Sequence, residues 1–186
     1  GCEVRIIDAQ AGPTSLSKAL VVWQRTLETL DSSLPHERFQ QHKDAQILQG
    51  AIVQTAQETI GKIVLNQPGS PIPTGLLLPQ SATEATLIER LREQGVEVER
   101  KTSLGDFRND ADGITCQIHS EAEGDSEAHF LWMIGADGAH SRVRHGLHLD
   151  FPGASIERRW ILGDFEIDQD FDPQFIQACL SRDGIV

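Results

Sequence analysis

The sequence contains no tyrosine, one methionine and three cysteines among its 186 residues, and it begins with a glycine. Cys2, Cys116 and Cys179 are widely spaced and form no CxxC pair, which argues against a disulfide framework or a zinc site. A reducing, cytoplasmic location is the simplest expectation. Because the first residue is not methionine, we expect this chain to be an internal fragment of a longer protein.

Long apolar runs and positive charges are also scarce. No apolar run approaches the roughly 18 to 20 residues that span a bilayer, and no charged start with an apolar stretch resembles a signal peptide. Sixteen Lys and Arg against 28 Asp and Glu give a formal net charge of −12. Such a surface repels nucleic-acid backbones and anionic membranes. We therefore expect neither of them as a partner.

Apolar periodicity predicts the elements of the first half of the chain. Alternation followed by an apolar run predicts a strand over residues 1–8, and apolar residues at intervals of three and four predict a helix over 17–30. β-Branched runs predict strands over 47–55 and 60–65. Residues 67–75 hold three prolines and two glycines, which predicts a crossing loop.

The second half begins with the best helix signature, over residues 81–94, with Ser81 as its N-terminal cap and Gly95 ending it. Strands over 96–99, 113–119 and 128–134 predict a three-stranded antiparallel meander. A further strand is predicted over 161–167, and residues 183–186 resemble the middle of a hairpin.

The sharpest feature is an apolar strand that breaks into Gly135-Ala136-Asp137-Gly138 and continues with Ser141, Val143 and Arg144. Glycines beside an acid allow a tight turn and close approach of a ligand, and a helix start offers unpaired N–H groups to phosphate oxygens. Such a corner suits a dinucleotide. Spacing alone leaves the alternative that Asp137 or Ser141 only caps the helix.

The string GADG-x-x-S-x-V-R resembles the DG motif of FAD-dependent aromatic hydroxylases related to para-hydroxybenzoate hydroxylase and phenol hydroxylase. The resemblance implies that Asp137, Gly138, Ser141 and Arg144 bind the cofactor FAD. It also places His140, inside the motif, near that cofactor.

Three further segments resemble the same family in the same order. Residues 1–8 resemble the second strand of its Rossmann-type half, which implies that Asp8 holds the adenosine ribose. Lys18 stands where the family usually has an arginine that contacts the flavin, and Gln80 lies in a family-like Leu-Pro-Gln-Ser. The alternatives are a solvated turn acid, an exposed helix lysine and an ordinary loop residue, respectively.

The resemblance implies an α/β fold: a Rossmann-type FAD-binding domain lacking its first strand and helix, with a β-meander and part of a β-rich substrate domain. Residues 1–158 would form the partial FAD-binding domain, with 45–75 a β excursion toward the substrate domain, and 159–186 would begin that substrate domain. The family's G-x-G-x-x-G turn would precede Gly1, and its second glycine-rich flavin segment would follow Val186. Loss of the first strand would leave Val4, Ile6 and Ile7 without a ladder partner.

The implied activity is that of a monooxygenase that uses FAD, NAD(P)H and oxygen to hydroxylate an aromatic or related small molecule. A homo-oligomer is compatible with this activity. Alternatives are another flavin oxidoreductase on the same scaffold, such as an epoxidase, a dehydrogenase or a drug-inactivating enzyme, or a non-catalytic nucleotide-binding module. No catalytic residue is assigned. No metal site is expected either, because none of the seven histidines stands at ligand spacing from a cysteine or a carboxylate.

The two absent glycine-rich segments predict that the isolated 1–186 polypeptide binds FAD weakly or not at all, because both are expected to contact the flavin. The measurement is the visible absorbance of purified polypeptide after FAD loading and desalting. A polypeptide that leaves the column yellow, with one flavin per chain, contradicts the prediction.

Overall fold

The computed structural model describes residues 2–14, 19–65, 69–154, 163, 168, 172–182 and 184–185. This part of the chain holds eleven strands and four helices: β1 (Ile6–Asp8), β2 (Val21–Trp23), α1 (Gln24–Leu30), α2 (Glu37–Gln40), β3 (Gln46–Ile47), β4 (Gly50–Gln54), β5 (Thr59–Val64), β6 (Gly75–Leu77), α3 (Gln80–Glu93), β7 (Val98–Arg100), β8 (Thr102–Asp110), β9 (Gly113–Ser120), β10 (Gly124–Phe130), α4 (Arg142–Gly146) and β11 (Phe175–Cys179). None of the helices among these residues is both long and apolar enough to cross a membrane.

The chain divides into two compact units. The first comprises Gly1–Pro13 and Gln94–Ile161, and the second comprises Thr14–Glu93 and Leu162–Val186. Each unit is therefore built from two stretches that are distant in sequence.

In the first unit, β1 pairs with β7 in parallel, with Ile6 opposite Val98. The Arg5 guanidinium binds both carboxylate oxygens of Glu99 at 2.6 and 2.7 Å and so joins the two strands. The strand predicted over residues 1–8 is confirmed over its last three residues. The expectation that Ile6 and Ile7 lack a ladder partner is wrong, because β7 supplies one.

The other described strands of the first unit form an antiparallel meander with strand order β10-β9-β8. A three-stranded antiparallel meander is present as predicted, but one of its strands differs from the prediction. Residues 96–99 overlap β7, which pairs with β1, and the third strand of the meander is β8. The sequence of β8 is Thr-Ser-Leu-Gly-Asp-Phe-Arg-Asn-Asp, in which apolar and polar residues do not alternate regularly. The register of its pairing with β9 shifts between Leu104 and Phe107. Such a bulge breaks the period of two that reveals a strand.

The strand predicted over residues 128–134 ends at Phe130 instead. The apolar residues that follow are exposed: Leu131 is 73% exposed, Trp132 86% and Ile134 90%. An apolar run forms a buried strand only where neighbouring strands supply ladder partners. No strand among the described residues pairs with this run, so the prediction is wrong here.

The second unit has its core under α1, α2 and α3. The buried residues of this cluster are Val22, Leu27, Leu34, Phe39, Leu76, Leu78 and Ala82. Strands β2 and β3 both pair antiparallel with β6 beside it. Burial of this apolar surface, at about 25 cal/mol per Å², provides the main stabilisation of the unit.

The helix predicted over residues 17–30 is confirmed only from Gln24 to Leu30. Val21, Val22 and Trp23 form β2, and residues 17 and 18 lie outside the described part of the chain. β-Branched and aromatic side chains favour extended backbone, and pairing with β6 outweighs the helical spacing. The loop predicted over 67–75 is also wrong at its last residue, because Gly75 begins β6.

The strand predicted over 47–55 is confirmed from Gly50 to Gln54 as β4, whereas Ile47 belongs to β3 in another sheet. The strand predicted over 60–65 is confirmed as β5, which pairs with β4. In the same sheet, β11 pairs in parallel with β4, so that Phe175 lies opposite Gly50. The hairpin expected near the end of the chain is supported by an antiparallel bridge between Leu180 and Ile185. The strand predicted over 161–167 falls on residues that the structure does not describe, apart from Gly163.

The helix predicted over residues 81–94 is confirmed as α3, and Gly95 follows it with a φ of +78°. Ser81 is not its cap, because the helix begins one residue earlier at Gln80. The carbonyl of Pro79 accepts the N–H groups of Ala82 and Thr83.

Candidate functional site

The predicted corner is a short helix start closed by a carboxylate and a hydroxyl. Ser141 is the N-cap of α4, and its Oγ accepts the N–H of Arg144 at 3.0 Å. Asp137 Oδ2 accepts the N–H groups of Arg142 at 2.6 Å and Val143 at 3.3 Å. The Ser141 hydroxyl donates to Asp137 Oδ1. The first three N–H groups of the helix are thus all bonded within the corner.

These hydrogen bonds decide whether the first N–H groups of α4 are free for a ligand or are used for capping. The expectation that the helix start offers unpaired N–H groups to phosphate oxygens is wrong for Arg142, Val143 and Arg144. The capping alternative describes what Asp137 and Ser141 do in this structure. Any cofactor contact at the corner must therefore use other atoms, such as the loop backbone before the helix.

Two opposed effects set the pKa of Asp137. Partial burial opposes ionisation, but hydrogen bonds from the Ser141 hydroxyl and from backbone N–H groups, including those of Val143 and Arg142, outweigh it and lower the pKa below the usual aspartate value. The carboxylate is therefore ionised at neutral pH, which is the state that accepts all of these bonds.

The two glycines of the motif have different roles. Gly138 has a φ of +77°, a conformation that L side chains rarely adopt, and the space where a Cβ would point is open. At Gly135 a Cβ would lie only 2.8 Å from the Cβ of Val143. Gly138 thus allows the turn and leaves room beside it, whereas Gly135 allows the segment before the turn to approach α4.

Two arginines fasten the corner to its surroundings. Arg142 Nε donates to the carbonyl of Gly105 in β8 at 3.2 Å. The Arg144 guanidinium donates to the carbonyl of Ala139 at 2.9 Å and lies 4.7 Å from the centroid of the Phe151 ring. The Nε of Arg144 is buried and has no hydrogen-bond partner among the described residues. Arg144 therefore holds the loop and retains an unused donor.

Asp8 lies at the end of β1, where parallel pairing brings Arg100 opposite it. Arg100 Nη1 lies 2.6 Å from Asp8 Oδ2, and Oδ1 accepts the N–H of Gln10 at 2.9 Å. The next residue, Ala9, lines a pocket of about 280 Å³, whose other lining residues are Lys101, Ser103, His119, Ser120 and Glu121. Sequence reasoning missed Arg100, because only the register of two distant strands reveals the pair.

The remaining predicted residues are less informative. Gln80 is half-buried at the first position of α3, in the second unit, and His140 is exposed. Lys18 lies outside the described residues. The structure thus brings Asp137, Gly138, Ser141 and Arg144 into one corner, and places Asp8 at the end of a strand in the same unit.

One cluster brings a histidine close to two carboxylates, although the spacing of the histidines along the sequence led us to expect no metal site. Asp31, His36 and Glu37 each offer one ligand atom, and these atoms lie within 4.8 Å of one another. Sequence reasoning missed this cluster, because an aspartate five residues before a histidine and a glutamate directly after it match no known metal-binding motif. The turn between α1 and α2 creates the cluster.

The Asp137 corner and the parallel strand pair that ends at Asp8 lie in the same unit, which agrees with the nucleotide-binding roles that the resemblance implies for both acids. A family model described as FAD binding domain matches residues 1–182. The chain therefore belongs to this FAD-binding family, and the expected family and α/β fold class are confirmed.

Named relatives agree with this assignment. The chain is similar to 12-dehydrotetracycline 5-monooxygenase/anhydrotetracycline 6-monooxygenase of Streptomyces rimosus subsp. rimosus, with 33% identity over 88% of this chain and 31% of that protein. It is also similar to 6-methylpretetramide 4-monooxygenase of Streptomyces rimosus, with 30% identity over 90% of this chain and 30% of that protein. The chain thus spans less than a third of the length of these two relatives.

Solved structures show the same fold. The anhydrotetracycline hydroxylase OxyS from Streptomyces rimosus superposes with a TM-score of 0.67 and 33% identity, over 81% of this chain and 30% of that one. A p-nitrophenol 4-monooxygenase from Pseudomonas putida superposes with a TM-score of 0.74 and 23% identity, over 83% of this chain and 39% of that one. The second likeness bears on the fold alone.

Asp137→Asn is expected to lower the free energy of unfolding by about 1 kcal/mol at pH 7, because an amide oxygen cannot replace both carboxylate oxygens of the cap. The folded-state pKa of Asp137 lies below its unfolded value of about 3.9. The stabilisation is therefore complete above that value and is lost as the pH falls through the folded pKa. Urea denaturation of both proteins between pH 7 and pH values below the usual aspartate pKa measures the difference.

Asp112→Asn, at an exposed acid in the turn between β8 and β9, is the matched control and is expected to change stability little at either pH. A difference between wild type and Asp137→Asn that is absent at pH 7, or that persists unchanged in acid, contradicts the assignment of the cap.

Proposed function

We propose that this chain is part of a monooxygenase that uses FAD, NAD(P)H and oxygen to hydroxylate an aromatic or related small molecule. The observation that carries the proposal is the similarity over 88% of the chain to a monooxygenase named for dehydrotetracycline and anhydrotetracycline, combined with the Asp137 corner. Because family membership defines a domain rather than a reaction, the activity of the complete protein requires its own test.

We propose that Asp8, Lys18, Gln80, Asp137, Gly138, Ser141 and Arg144 take part in holding FAD. The open space beside Gly138 fits a flat or anionic group approaching the backbone. The unused Nε of Arg144 fits an acceptor at the same corner. The carboxylate of Asp8 is 38% exposed beside a pocket and fits a ribose diol. When bound, FAD would supply the activation of oxygen, and the protein would orient the substrate and exclude water.

The Arg100 guanidinium has a supporting role in this proposal. It fixes Asp8 Oδ2 at 2.6 Å and leaves the carboxylate able to accept further hydrogen bonds, since each carboxylate oxygen has two lone pairs. An ionised and oriented acceptor loses little side-chain freedom when a diol binds. We therefore assign Arg100 as a positioning residue for Asp8.

We propose that residues 45–75 and 159–186 belong to the substrate-binding part of the enzyme. Support comes from the pairing of β4 with β11 in one sheet. A pocket of about 560 Å³ in the second unit is lined by Gln40, Ala45, Gln46, Ile47, Leu76, Asp172, Pro173 and Gln174. Its volume falls within the usual range for small-molecule sites, about 300 to 1,000 Å³.

The test of the activity is product analysis with the complete protein, NADPH, isotope-labelled oxygen and a panel of single-ring and fused-ring phenols. The proposal predicts a product that carries one labelled oxygen atom, while the second atom leaves as water and NADPH supplies the two electrons. Product without label, or a product that has only lost hydrogen, contradicts a hydroxylase and favours another flavin oxidoreductase.

Asp8→Asn in the complete protein is expected to raise the dissociation constant for FAD by about ten- to a hundredfold, the usual range for losing a charged hydrogen-bond acceptor. Fluorescence titration of the apoprotein with FAD measures it. Asp112→Asn is the control and should bind FAD as wild type does. Equal affinity of Asp8→Asn and wild type excludes the ribose role.

A further inference from the structure

The corner between α1 and α2 gathers three potential metal ligands outside the proposed flavin site. His36 Nδ1 lies 2.7 Å from Asp31 Oδ1 and 3.5 Å from Glu37 Oε2. The three ligand atoms lie within 4.8 Å of one another. One ring nitrogen therefore faces two separate carboxylates, although a single N–H could donate well to only one of them.

The local fold holds this arrangement in place. Asp31 is the C-cap of α1, and its Oδ1 accepts the backbone N–H of His36 at 2.9 Å. The imidazole is 92% buried, since its side chain is only 8% exposed. Neighbouring Leu34 and Phe39 belong to the buried core of the unit. The histidine is thus fixed by packing, whereas a surface histidine would pay rotamer entropy on binding.

The distances are close to those that a first-row cation requires. Metal–ligand bonds of about 2.0 to 2.2 Å separate neighbouring ligand atoms by roughly 2.8 to 3.1 Å in octahedral geometry and by roughly 3.3 to 3.6 Å in tetrahedral geometry. The His36–Glu37 distance of 3.5 Å lies in the tetrahedral range already, and the His36–Asp31 distance of 2.7 Å must increase to reach either range. Rotation of the partly exposed Asp31 and Glu37 side chains, 41% and 57% exposed, supplies such a change.

Charge also favours a cation at this corner. With a neutral imidazole the three ligands carry two negative charges, on a chain whose net charge is −12. The nearby Arg38 is bound instead to Glu93 at 2.7 Å and to Glu89 at 3.1 Å, on α3. This arginine therefore neutralises the acids of α3 rather than the two carboxylates of the corner.

We propose that Asp31, His36 and Glu37 form a binding site for a divalent first-row transition-metal ion. One imidazole nitrogen and two carboxylates suit Zn²⁺, Co²⁺ or Mn²⁺, and the exposed side of the corner leaves the remaining positions to water. The ion would tie the end of α1 to the start of α2. This site is independent of the flavin chemistry proposed above.

The experiment is titration of the full chain with Co²⁺, followed by its visible absorbance and by calorimetry. Saturable binding with one ion per site is expected, together with visible bands of protein-bound Co²⁺. Glu37→Gln changes an exposed side chain and keeps the fold, and His36→Gln removes the nitrogen ligand. Because even outer-shell changes cost about 10- to 100-fold in metal affinity, each substitution should weaken binding at least about tenfold.

The matched control is His42→Gln. His42 Nδ1 lies 3.7 Å from Asp44 Oδ2, so that this pair resembles the corner but has one carboxylate only, and its loss should leave Co²⁺ affinity unchanged. If Glu37→Gln binds Co²⁺ as tightly as wild type, or if no saturable binding occurs, the proposal is overturned. The corner is then an ordinary hydrogen bond between a histidine and an aspartate.

Discussion

The hydrogen bonds that converge on the carboxylate of Asp137 hold together the part of the molecule on which its assignment depends. Between residues 131–134 and α4 the backbone must turn sharply, and Gly138 provides the positive φ that this turn requires. A five-residue helix has little stability of its own. Asp137 and Ser141 stabilise it by accepting its first three N–H groups. The first role of the motif is therefore structural, because it stabilises the turn and the start of α4.

This has a consequence for how the motif relates to a cofactor. A helix start whose N–H groups are already bonded presents a fixed loop surface rather than a set of free donors. What stays available is the open backbone at Gly138, together with the buried Nε of Arg144, which has no hydrogen-bond partner among the described residues. The residues that make the motif recognisable therefore shape the site, and fewer of them are free to contact a ligand.

Local chemistry explains which elements could be predicted from the sequence. The corner, α3 with its closing Gly95, and strands β4 and β5 each carry their signal within one continuous segment, so they were recovered. Strand β2 was mistaken for helix because pairing with β6 decides its conformation. Strand β8 was missed because a bulge disrupts its alternation. Residues 131–134 were predicted to be a strand because they are apolar. The sequence does not show that no described strand pairs with them.

The same distinction applies to the sites. Asp137, Gly138, Ser141 and Arg144 lie within eight consecutive residues, and resemblance was enough to group them. Arg100 joins Asp8 only through the register of β1 and β7, and His36 meets Asp31 only through a turn between two helices. Neither pairing can be predicted from the spacing of its residues along the sequence. Side-chain partners that depend on tertiary geometry required coordinates.

The most direct test of the central claim is hydrogen exchange at the backbone amides of Arg142 and Val143, measured by NMR in the full chain. If the Asp137 carboxylate accepts both N–H groups, these amides exchange more slowly than their intrinsic rates, and the protection disappears in acid once the carboxylate is protonated. Exchange of both amides at the intrinsic rate near neutral pH would contradict the account.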